Sequence, residues 1–399
     1  MNRMDAKRLT HVRSLPVRSE RGSLGRRPLW IRTVASPSIG FGHLRRVLTL
    51  AAMLENAVEP HFLVDSNDSW SKDQTTARGW KYSDFDSTGL WNGSSRPAAI
   101  LIDTREERGL EVLISAARQR RVPVASIHDL GLNRLSSDVV IDGSLAPGIQ
   151  QNCAARCYFG TRYLVLDPKY AAAHRVHRRI SNEIRTVLIN LGGGDSSRFF
   201  EKVLEGLRLW GHGLQAVGVR GFASWGQEQL ASRNWAPVHF RWAARNESIP
   251  ELIRSADLAV TAAGISVYEA LCAGTPVISL SYDETQHRTA ESLAAAGLCV
   301  DLGLGDHLTS ALIPPLLTHL ESDPGLRVTA SRQGKRLVDG KGAERVAAIL
   351  VELIGDDGCA KHGQHSEKNA KKKRRPDSNS APEHGDALTS APVNVVTWD

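Results

Sequence analysis

The sequence predicts an α/β protein made of two halves, each a parallel sheet covered by helices. Across residues 29–354, short apolar runs alternate with amphipathic stretches of helical period, which is the pattern of βαβ units. In both halves an apolar run ends in glycines and a helical stretch follows at once. The length also favours two halves, because the chain has 399 residues and a single core rarely exceeds about 300.

The first half is predicted over 29–165. Its five candidate strands are, in order, "LWIRTVAS", "PHFLVD", "AAILID", "VPVASIHDL" and "DVVIDGS". Between them, apolar residues recur at helical spacing over 44–55 and 106–120. An Arg-rich segment at 166–184 is expected to link the two halves.

The second half is predicted over 185–354. Its six candidate strands are "TVLINLGG", "LQAVGV", "VHFRWA", "LAVTAAG", "PVISLSY" and "LCVDLG". Helices are expected near 197–210, 248–255, 265–273 and 286–296. The run "GAERVAAILVELI" is expected to close this half as one more amphipathic helix.

The two ends of the chain are predicted to be disordered. Residues 1–28 form an arm with eight Lys or Arg and two acidic residues, whereas the polar tail at 355–399 carries equal numbers of both signs. The formal net charge of +7 therefore lies almost wholly in the arm. A flexible basic arm is a weaker sign of nucleic-acid binding than a basic face on a folded domain, so no specific nucleic-acid partner is expected.

The composition argues against secretion, membrane insertion and metal binding. No apolar run reaches the roughly 18 residues of a spanning helix, and the N-terminus lacks the apolar core of a signal peptide, so a cytoplasmic location is expected. The five cysteines show no paired zinc spacing and are expected to be free thiols. The sequence leaves the oligomeric state open.

The stretch "SIGFGHLRR" lies between the first apolar run and a helical stripe, so it is predicted to be a strand-to-helix turn. Gly40 and Gly42 would let the backbone approach a ligand, and His43 would stand at the helix N-terminus, where the dipole favours negative charge. Open α/β sheets bind ligands at the carboxyl ends of their strands. From the residues alone, a tight turn with a solvated histidine explains the stretch equally well.

The second half repeats this arrangement in "LINLGGGD" and in "AAGISVYEAL". Residues of these turns are candidates to hold a phosphate against a helix N-terminus: Gly192, Gly193, Gly264, Ile265 and Ser266. Glu269, one turn further on, could accept bonds from the vicinal hydroxyls of a ribose, although a glutamate on an exposed helix rim is the alternative. A third dinucleotide-binding glycine and a GxxxxGK[ST] sequence are both missing, which excludes a Rossmann dinucleotide site and a P-loop.

Together, "ASPSIGFGHLRRVLTLAAML", "LINLGGGD" and "AAGISVYEALCAGTPVISLSYDETQHRTAESLAAAG" resemble the GT-B superfamily that contains the peptidoglycan N-acetylglucosaminyltransferase. The similarity is closer to a hydrolytic branch, the UDP-2,4-diacetamido-2,4,6-trideoxy-β-L-altropyranose hydrolase of the pseudaminic acid pathway. The IGxGHxxR motif of that branch is matched by Ile39, Gly40, Gly42, His43 and Arg46. The segments "IHDL" to "DVVIDGS", "FGTRYLVLDPKY" and "DGKGAERV" extend the resemblance over most of 29–354.

The resemblance implies a GT-B fold, in which two Rossmann-like domains have parallel sheets facing across a cleft. It also implies a UDP-sugar substrate, cleavage at the anomeric carbon, and neither a metal nor another cofactor. His43 would be the catalytic base, which suits an imidazole with an ordinary pKa of about 6.5. The turn residues of the second half and Glu269 would hold the nucleotide. The sugar or diphosphate would be contacted by Gly40, Gly42, Arg46, Asp129 and Gln286.

Three positions depart from the family pattern. Asp167 stands where an Arg is expected, Thr285 precedes Gln286 in place of Asn, and His128 precedes Asp129 in place of Asp. These changes bear on the identity of the sugar. The sequence thus predicts a hydrolase that releases a free deoxy-amino sugar for nonulosonic acid or surface-glycan synthesis. A glycosyltransferase whose histidine deprotonates an acceptor hydroxyl is the first alternative, and a non-catalytic nucleotide-sugar-binding protein is the second.

Overall fold

The computed structural model describes residues 26–36, 39–86, 89–92, 96–129, 135–145, 156–193, 196–221 and 228–355. Two parallel sheets and the helices around them belong to one compact unit. The predicted arm and tail lie almost wholly outside the described residues. At the inner ends of the arm and the tail, the first strand begins at Pro28 and the last helix ends at Gly355.

The first sheet is formed by β1 (Pro28–Thr33), β2 (Glu59–Val64), β3 (Lys81–Asp84), β4 (Ala99–Asp103), β5 (Val124–His128), β6 (Val139–Asp142) and β7 (Arg156–Phe159). Its helices are α1 (Gly42–Leu54), α2 (Ser69–Thr76) and α3 (Leu110–Gln119), with a short 3-10 turn at Leu90–Asn92. The strand order is β3-β2-β1-β4-β5-β6-β7, and the pairs are parallel. The inner strands are buried on both faces, which explains their nearly continuous apolar sequences.

The second sheet is formed by β8 (Thr186–Asn190), β9 (Leu214–Gly218), β10 (Val238–Trp242), β11 (Leu258–Ala262), β12 (Val277–Ser281) and β13 (Val300–Leu304). It is again parallel, in the order β10-β9-β8-β11-β12-β13. The remaining helices are α4 (Lys169–Arg175), α5 (Ser197–Trp210), α6 (Glu228–Ser232), α7 (Ile249–Ser255), α8 (Ile265–Ala273), α9 (Glu284–Ala295), α10 (Ile313–Ser322), α11 (Pro324–Leu337) and α12 (Gly342–Gly355). Short 3-10 turns lie at Thr161–Tyr163 and Ser310–Leu312.

The predicted fold class is confirmed, since both halves are doubly wound parallel sheets with helices on both faces. The eleven predicted strands are present, and two further strands, β3 and β7, complete the edges of the first sheet. In each sheet successive strands are added first on one side of the first strand and then on the other. The order of the strands therefore reverses between β1 and β4 in the first sheet and between β8 and β11 in the second. These two reversal points are where ligands are expected to bind.

The last helix, α12, packs against the first sheet and not, as the sequence analysis expected, within the second half. Val346 and Leu350 join the apolar core that α1 forms on that sheet. The helix starts at Gly342, where a Cβ atom would lie 1.9 Å from the carbonyl oxygen of Leu164. The sequence therefore predicted the helix correctly, but the prediction of the sheet that it covers was wrong.

The segment 166–184 is also more than the link that the sequence predicts. Leu166 and Tyr170 are buried in the core of the second half, and α4 packs against α7 and α8. Residues 166–184 are thus part of the core of the second half, although they precede β8, the first strand of its sheet.

Candidate active site

A cavity of 240 Å³ lies between the carboxyl ends of the two sheets, at the winding reversals of both. One wall comes from the loops after β1, β4, β5 and β6, and the other from the loops after β8, β9, β11 and β12. Eleven of the twelve predicted site residues line it: Gly40, Gly42, His43, Arg46, Asp129, Gly192, Gly193, Gly264, Ile265, Ser266 and Gln286. The twelfth, Glu269, lies behind the wall.

The glycine turn after β1 delivers the start of α1 to the cavity. Gly40 has a φ of +86°, in the left-handed region that favours glycine, and its N–H donates to the carbonyl of Ser36 at 2.8 Å. The next residue, Phe41, is the N-cap of α1 and has no side-chain acceptor to offer the first-turn amides. Those amides are available to a ligand, and His43 projects from the same turn.

His43 forms a hydrogen-bonded pair with Asp103, the last residue of β4. Nδ1 of His43 lies 2.7 Å from Oδ1 of Asp103, whose side chain is completely buried. A carboxylate accepts and does not donate, so the contact with Asp103 is a hydrogen bond in the tautomer that carries its proton on Nδ1. Nε2 then keeps its lone pair, and Asp103 can stabilise the ring once Nε2 has taken a proton. A pair of this geometry can act chemically as an oriented general base.

Arg46, one helical turn after His43, connects this pair to β5. Its Nε and Nη2 donate to the two oxygens of Asp103 at 2.8 and 2.6 Å, and its Nη1 donates to Oδ1 of Asp129 at 2.6 Å. Burial alone would lower the pKa of Arg46, but the two carboxylates outweigh it and the pKa is raised. Burial would likewise raise the pKa of Asp129, but Arg46 outweighs it and the pKa lies well below its usual range. Arg46 and Asp129 are therefore both charged at neutral pH.

The opposite wall presents a second helix N-terminus. Gly192, with a φ of +81°, turns the chain after β8, and Gly264 is the N-cap of α8. Because Gly264 has no side chain, the first amides of α8 point their hydrogens to the cavity without a capping group, beside Ser266. A helix N-terminus of this kind favours a phosphate or another anion.

Gln286 lies at the start of α9 on the same wall. Its backbone N–H donates to the Asp283 side chain at 2.8 Å, and its side-chain Oε1 accepts a hydrogen bond from the backbone N–H of Tyr282 at 3.2 Å. This arrangement fixes the amide so that Nε2 remains as a donor. Gln286 is thus placed to donate to a substrate oxygen.

Glu269 does not occupy the position expected of a ribose ligand. The residue is 1% exposed, and its Oε1 accepts a hydrogen bond from Nη2 of Arg45 in α1 at 3.0 Å. Burial raises the pKa of Glu269, although Arg45 opposes this. Glu269 is thus not part of the cavity lining, although its partner Arg45 is, and its role toward a ribose stays a prediction.

His128 also differs from what its place in "IHDL" suggests. The residue is completely buried, and its Nε2 is 2.8 Å from the hydroxyl of Ser126. Burial lowers its pKa to about 4, so the ring is neutral at physiological pH. Of this pair of residues, Asp129 reaches the cavity and His128 supports the strand behind it.

Several residues of the site were not predicted. Asp103 looks in the sequence like the end of an ordinary buried strand, and its role becomes visible when β4 is placed beside β1. Two basic residues, Arg105 and Arg220, also line the cavity, and Arg105 forms an ion pair of 3.4 Å with Asp283 across it. The useful signal was the position of these residues, because Asp103 ends a predicted strand and the two arginines lie within two residues of the end of one.

Two further observations concern the described residues as a whole. Among them, no helix combines the length and apolar character needed to cross a membrane. No group of three or more His, Cys, Asp or Glu side chains in this part of the chain is arranged to hold a metal ion.

No family model matches the chain, but two curated proteins do. It is 33% identical over 222 residues to the spore coat polysaccharide biosynthesis protein SpsG of Bacillus subtilis (strain 168), covering 54% of this chain and 65% of that protein. It is 32% identical over 112 residues to a UDP-N-acetylglucosamine--N-acetylmuramyl-(pentapeptide) pyrophosphoryl-undecaprenol N-acetylglucosamine transferase of Sorangium cellulosum (strain So ce56), covering 27% of each chain. The chain thus spans less than two thirds of either relative.

Solved structures show the same fold at lower sequence identity. MurG of Acinetobacter baumannii superposes with a TM-score of 0.59 at 15% identity, over 82% of this chain and all of that one. TcCGT1, solved in complex with UDP, superposes with a TM-score of 0.57 at 13% identity, over 82% of this chain and 99% of that one. The chain therefore has a GT-B glycosyltransferase-like fold.

Proposed function

We propose that this protein is a GT-B glycosyltransferase that moves a sugar from a UDP-sugar donor to an acceptor hydroxyl. The observation that carries the proposal is the His43–Asp103 pair, held in a cavity whose opposite wall is the N-terminus of α8. A base on one wall and an anion site on the other are what a transfer from a diphosphate requires. The base activates the nucleophile, and the anion site receives the leaving group.

In the proposed reaction, Nε2 of His43 takes the proton of the acceptor hydroxyl. The acceptor oxygen forms a bond to the anomeric carbon of the sugar, and the bond from that carbon to the diphosphate oxygen breaks. UDP leaves with the electron pair. Asp103 stabilises the imidazolium, and the first amides of α8 stabilise the negative charge on the diphosphate.

The donor is proposed to be a UDP-sugar because of the names of two similar proteins. The Sorangium relative is named as a UDP-N-acetylglucosamine transferase, and TcCGT1 was solved with UDP. The nucleotide would lie on the second wall, at the turn residues of β8 and β11 that the sequence predicts. The sugar would face Gln286 and Asp129, and the acceptor would enter beside His43. The name of the Bacillus relative supports a role in polysaccharide biosynthesis.

The hydrolase expected from the sequence gives way to a transferase in this proposal. The same base and the same donor site serve both reactions, so the sequence motif does not separate them. The two curated relatives are named as a polysaccharide biosynthesis protein and as a transferase, and neither name refers to a hydrolase or to pseudaminic acid. Hydrolysis is retained as an outcome of the experiment.

The experiment measures UDP formation from a panel of UDP-amino sugars, with EDTA present, and with and without a panel of sugar and alcohol acceptors. Acceptor-dependent UDP formation, lost in His43→Ala, supports the proposal. His61→Ala is the matched control, since His61 lies in β2 outside the cavity and contacts Ser83. Free sugar formed at the same rate without acceptor contradicts a transferase and restores the hydrolase. No binding of UDP contradicts both.

A further inference from the structure

Arg46 was expected to contact the substrate, but its contacts in the structure are with the protein. Its side chain is 8% exposed, and the guanidinium is divided between two carboxylates that end neighbouring strands. Its nitrogens donate hydrogen bonds to both oxygens of Asp103 and both oxygens of Asp129, at distances between 2.6 and 3.1 Å. Two bidentate contacts use all three nitrogens of the guanidinium, so little of its donor capacity remains for a substrate.

The guanidinium also lies against the base itself. Nη2 of Arg46 is 2.8 Å from Nδ1 of His43. Because a guanidinium can only donate, this approach is a close contact and not a hydrogen bond when Nδ1 carries the proton that it donates to Asp103. Arg46, Asp103 and His43 therefore form a closed triangle of charged and titratable groups, in a region where burial makes charge interactions stronger than in water.

The charges around His43 show what this triangle does. Its own helix supplies Arg45 and Arg46, and the ends of β4 and β5 supply Asp103, Arg105, His128 and Asp129. Arg220 and Asp283 face it from the opposite wall, where Asp283 is paired with Arg105, and Arg45 is paired with Glu269. His128 is neutral, and Arg45 and Arg105 are each paired with another carboxylate, so the charged groups bonded to one another beside His43 are Asp103, Asp129 and Arg46.

Without that cation, two buried negative charges would face the imidazole. Opposite charges at this distance favour the protonated ring, and a protonated ring cannot accept a proton. With Arg46 in place, one of these two negative charges is matched by its guanidinium.

We propose that Arg46 is a positioning residue, which holds Asp103 and Asp129 and keeps His43 in the unprotonated form that the reaction needs. The proposal rests on the proposed function in so far as His43 is the base of that reaction. It predicts that the pH below which activity falls depends on Arg46.

The test compares Arg46→Gln, Arg46→Lys and Asp129→Asn with the wild type, using kcat/KM against pH and the NMR titration of the His43 ring protons. In Arg46→Gln the acidic limb and the ring titration should both move to higher pH by about 1–3 units, with activity recovered at alkaline pH. Asp129→Asn removes a negative charge, so both should move to lower pH. Arg46→Lys keeps the charge and should leave the limb near its wild-type position.

Shifts in opposite directions cannot come from general damage to the structure, and a thermal melt of each variant shows that it is folded. A loss of activity in Arg46→Gln that is equal at every pH, with a raised KM for the donor, overturns the proposal and makes Arg46 a substrate ligand. An unmoved ring titration in an active variant overturns it as well. If the ring titration moves as expected but the wild type turns over no UDP-sugar, the proposed function fails and the role of Arg46 stands.

Discussion

Replacing Asp103 with asparagine keeps the shape of the side chain and removes its charge. The new amide can donate to Nδ1 of His43, which would place the proton of the imidazole on Nε2, the nitrogen that must accept a proton. Any imidazolium that formed would also lack its buried counter-charge at 2.7 Å. The substitution therefore acts on the orientation, the tautomer and the charged state of the base at once.

The size of the effect follows from these losses. General-base catalysis contributes about 10²–10⁴-fold, and loss of the carboxylate of a histidine–aspartate pair in a serine protease costs about 10⁴-fold. We expect kcat/KM of Asp103→Asn to fall about 10³-fold, or about 4 kcal/mol of transition-state stabilisation. The affinity for UDP should stay within threefold, because Asp103 lies on the wall opposite α8.

The assay is UDP formation in the presence of acceptor, together with a thermal melt. Asp68→Asn is the matched control, because Asp68 is a buried carboxylate that caps α2 and binds the N–H of Ala35, outside the cavity. That variant should lose stability and keep its turnover per folded molecule. If Asp103→Asn retains more than a tenth of the wild-type kcat/KM while folded, the assignment of the pair as the base is refuted.

Two further substitutions and one labelling experiment test the architecture and the thiols. In Gly193→Ala the new Cβ would lie 2.6 Å from the ring of Phe41 on the opposite wall, so we expect a loss of about 1–3 kcal/mol in the free energy of unfolding and a raised KM for the donor. Gly342→Ala drives a Cβ against a backbone carbonyl at 1.9 Å and should cost about 3 kcal/mol or more by chemical denaturation. Burial raises the pKa of Cys272 and of Cys299 to about 12, so neither thiol should react with Ellman's reagent at pH 8 until the protein unfolds.

Each of these predictions has a result that would contradict it. Gly213→Ala is the matched control for both glycines, since its Cβ would lie 3.9 Å from the nearest atom, and a melt as low as that of Gly342→Ala would show that the clash is not the cause. An unchanged KM in Gly193→Ala would show that the contact between the walls does not shape the donor site. Rapid labelling of either cysteine in the folded protein would contradict its burial.

The strands and the glycine turns could be predicted because their signals are local. A strand buried on both faces is a continuous apolar run, and each turn combines glycines with the start of a helical stripe. The edge strands β3 and β7 have polar or half-exposed sequences, "KYSD" and "RCYF", and carry no such signal. The position of α12 was wrong for a related reason, since an apolar stripe specifies a buried face but not the sheet that buries it.

The predicted residues that line the cavity mostly belong to turns, whereas contacts between distant segments were not predicted. Asp103 and His43 are 60 residues apart and meet because β4 pairs with β1. Glu269 was expected on a ribose because it lies near the start of α8; in the structure it is buried outside the cavity lining and accepts a hydrogen bond from Arg45 of the other half. Arg46 was recognised as part of a motif, and its two carboxylate partners came from strands that the motif does not include.

The most direct test of the account measures donor affinity and turnover in the same samples of wild type and His43→Ala. Calorimetry would give the dissociation constant for a UDP-sugar, and UDP formation with acceptor would give kcat. The account predicts an affinity within threefold of the wild type and a kcat lower by about 10²–10⁴-fold, because His43 supplies the base and the opposite wall supplies the nucleotide site. A variant that keeps its kcat, or that loses affinity and turnover to the same extent, would contradict the assignment of His43 as the catalytic base.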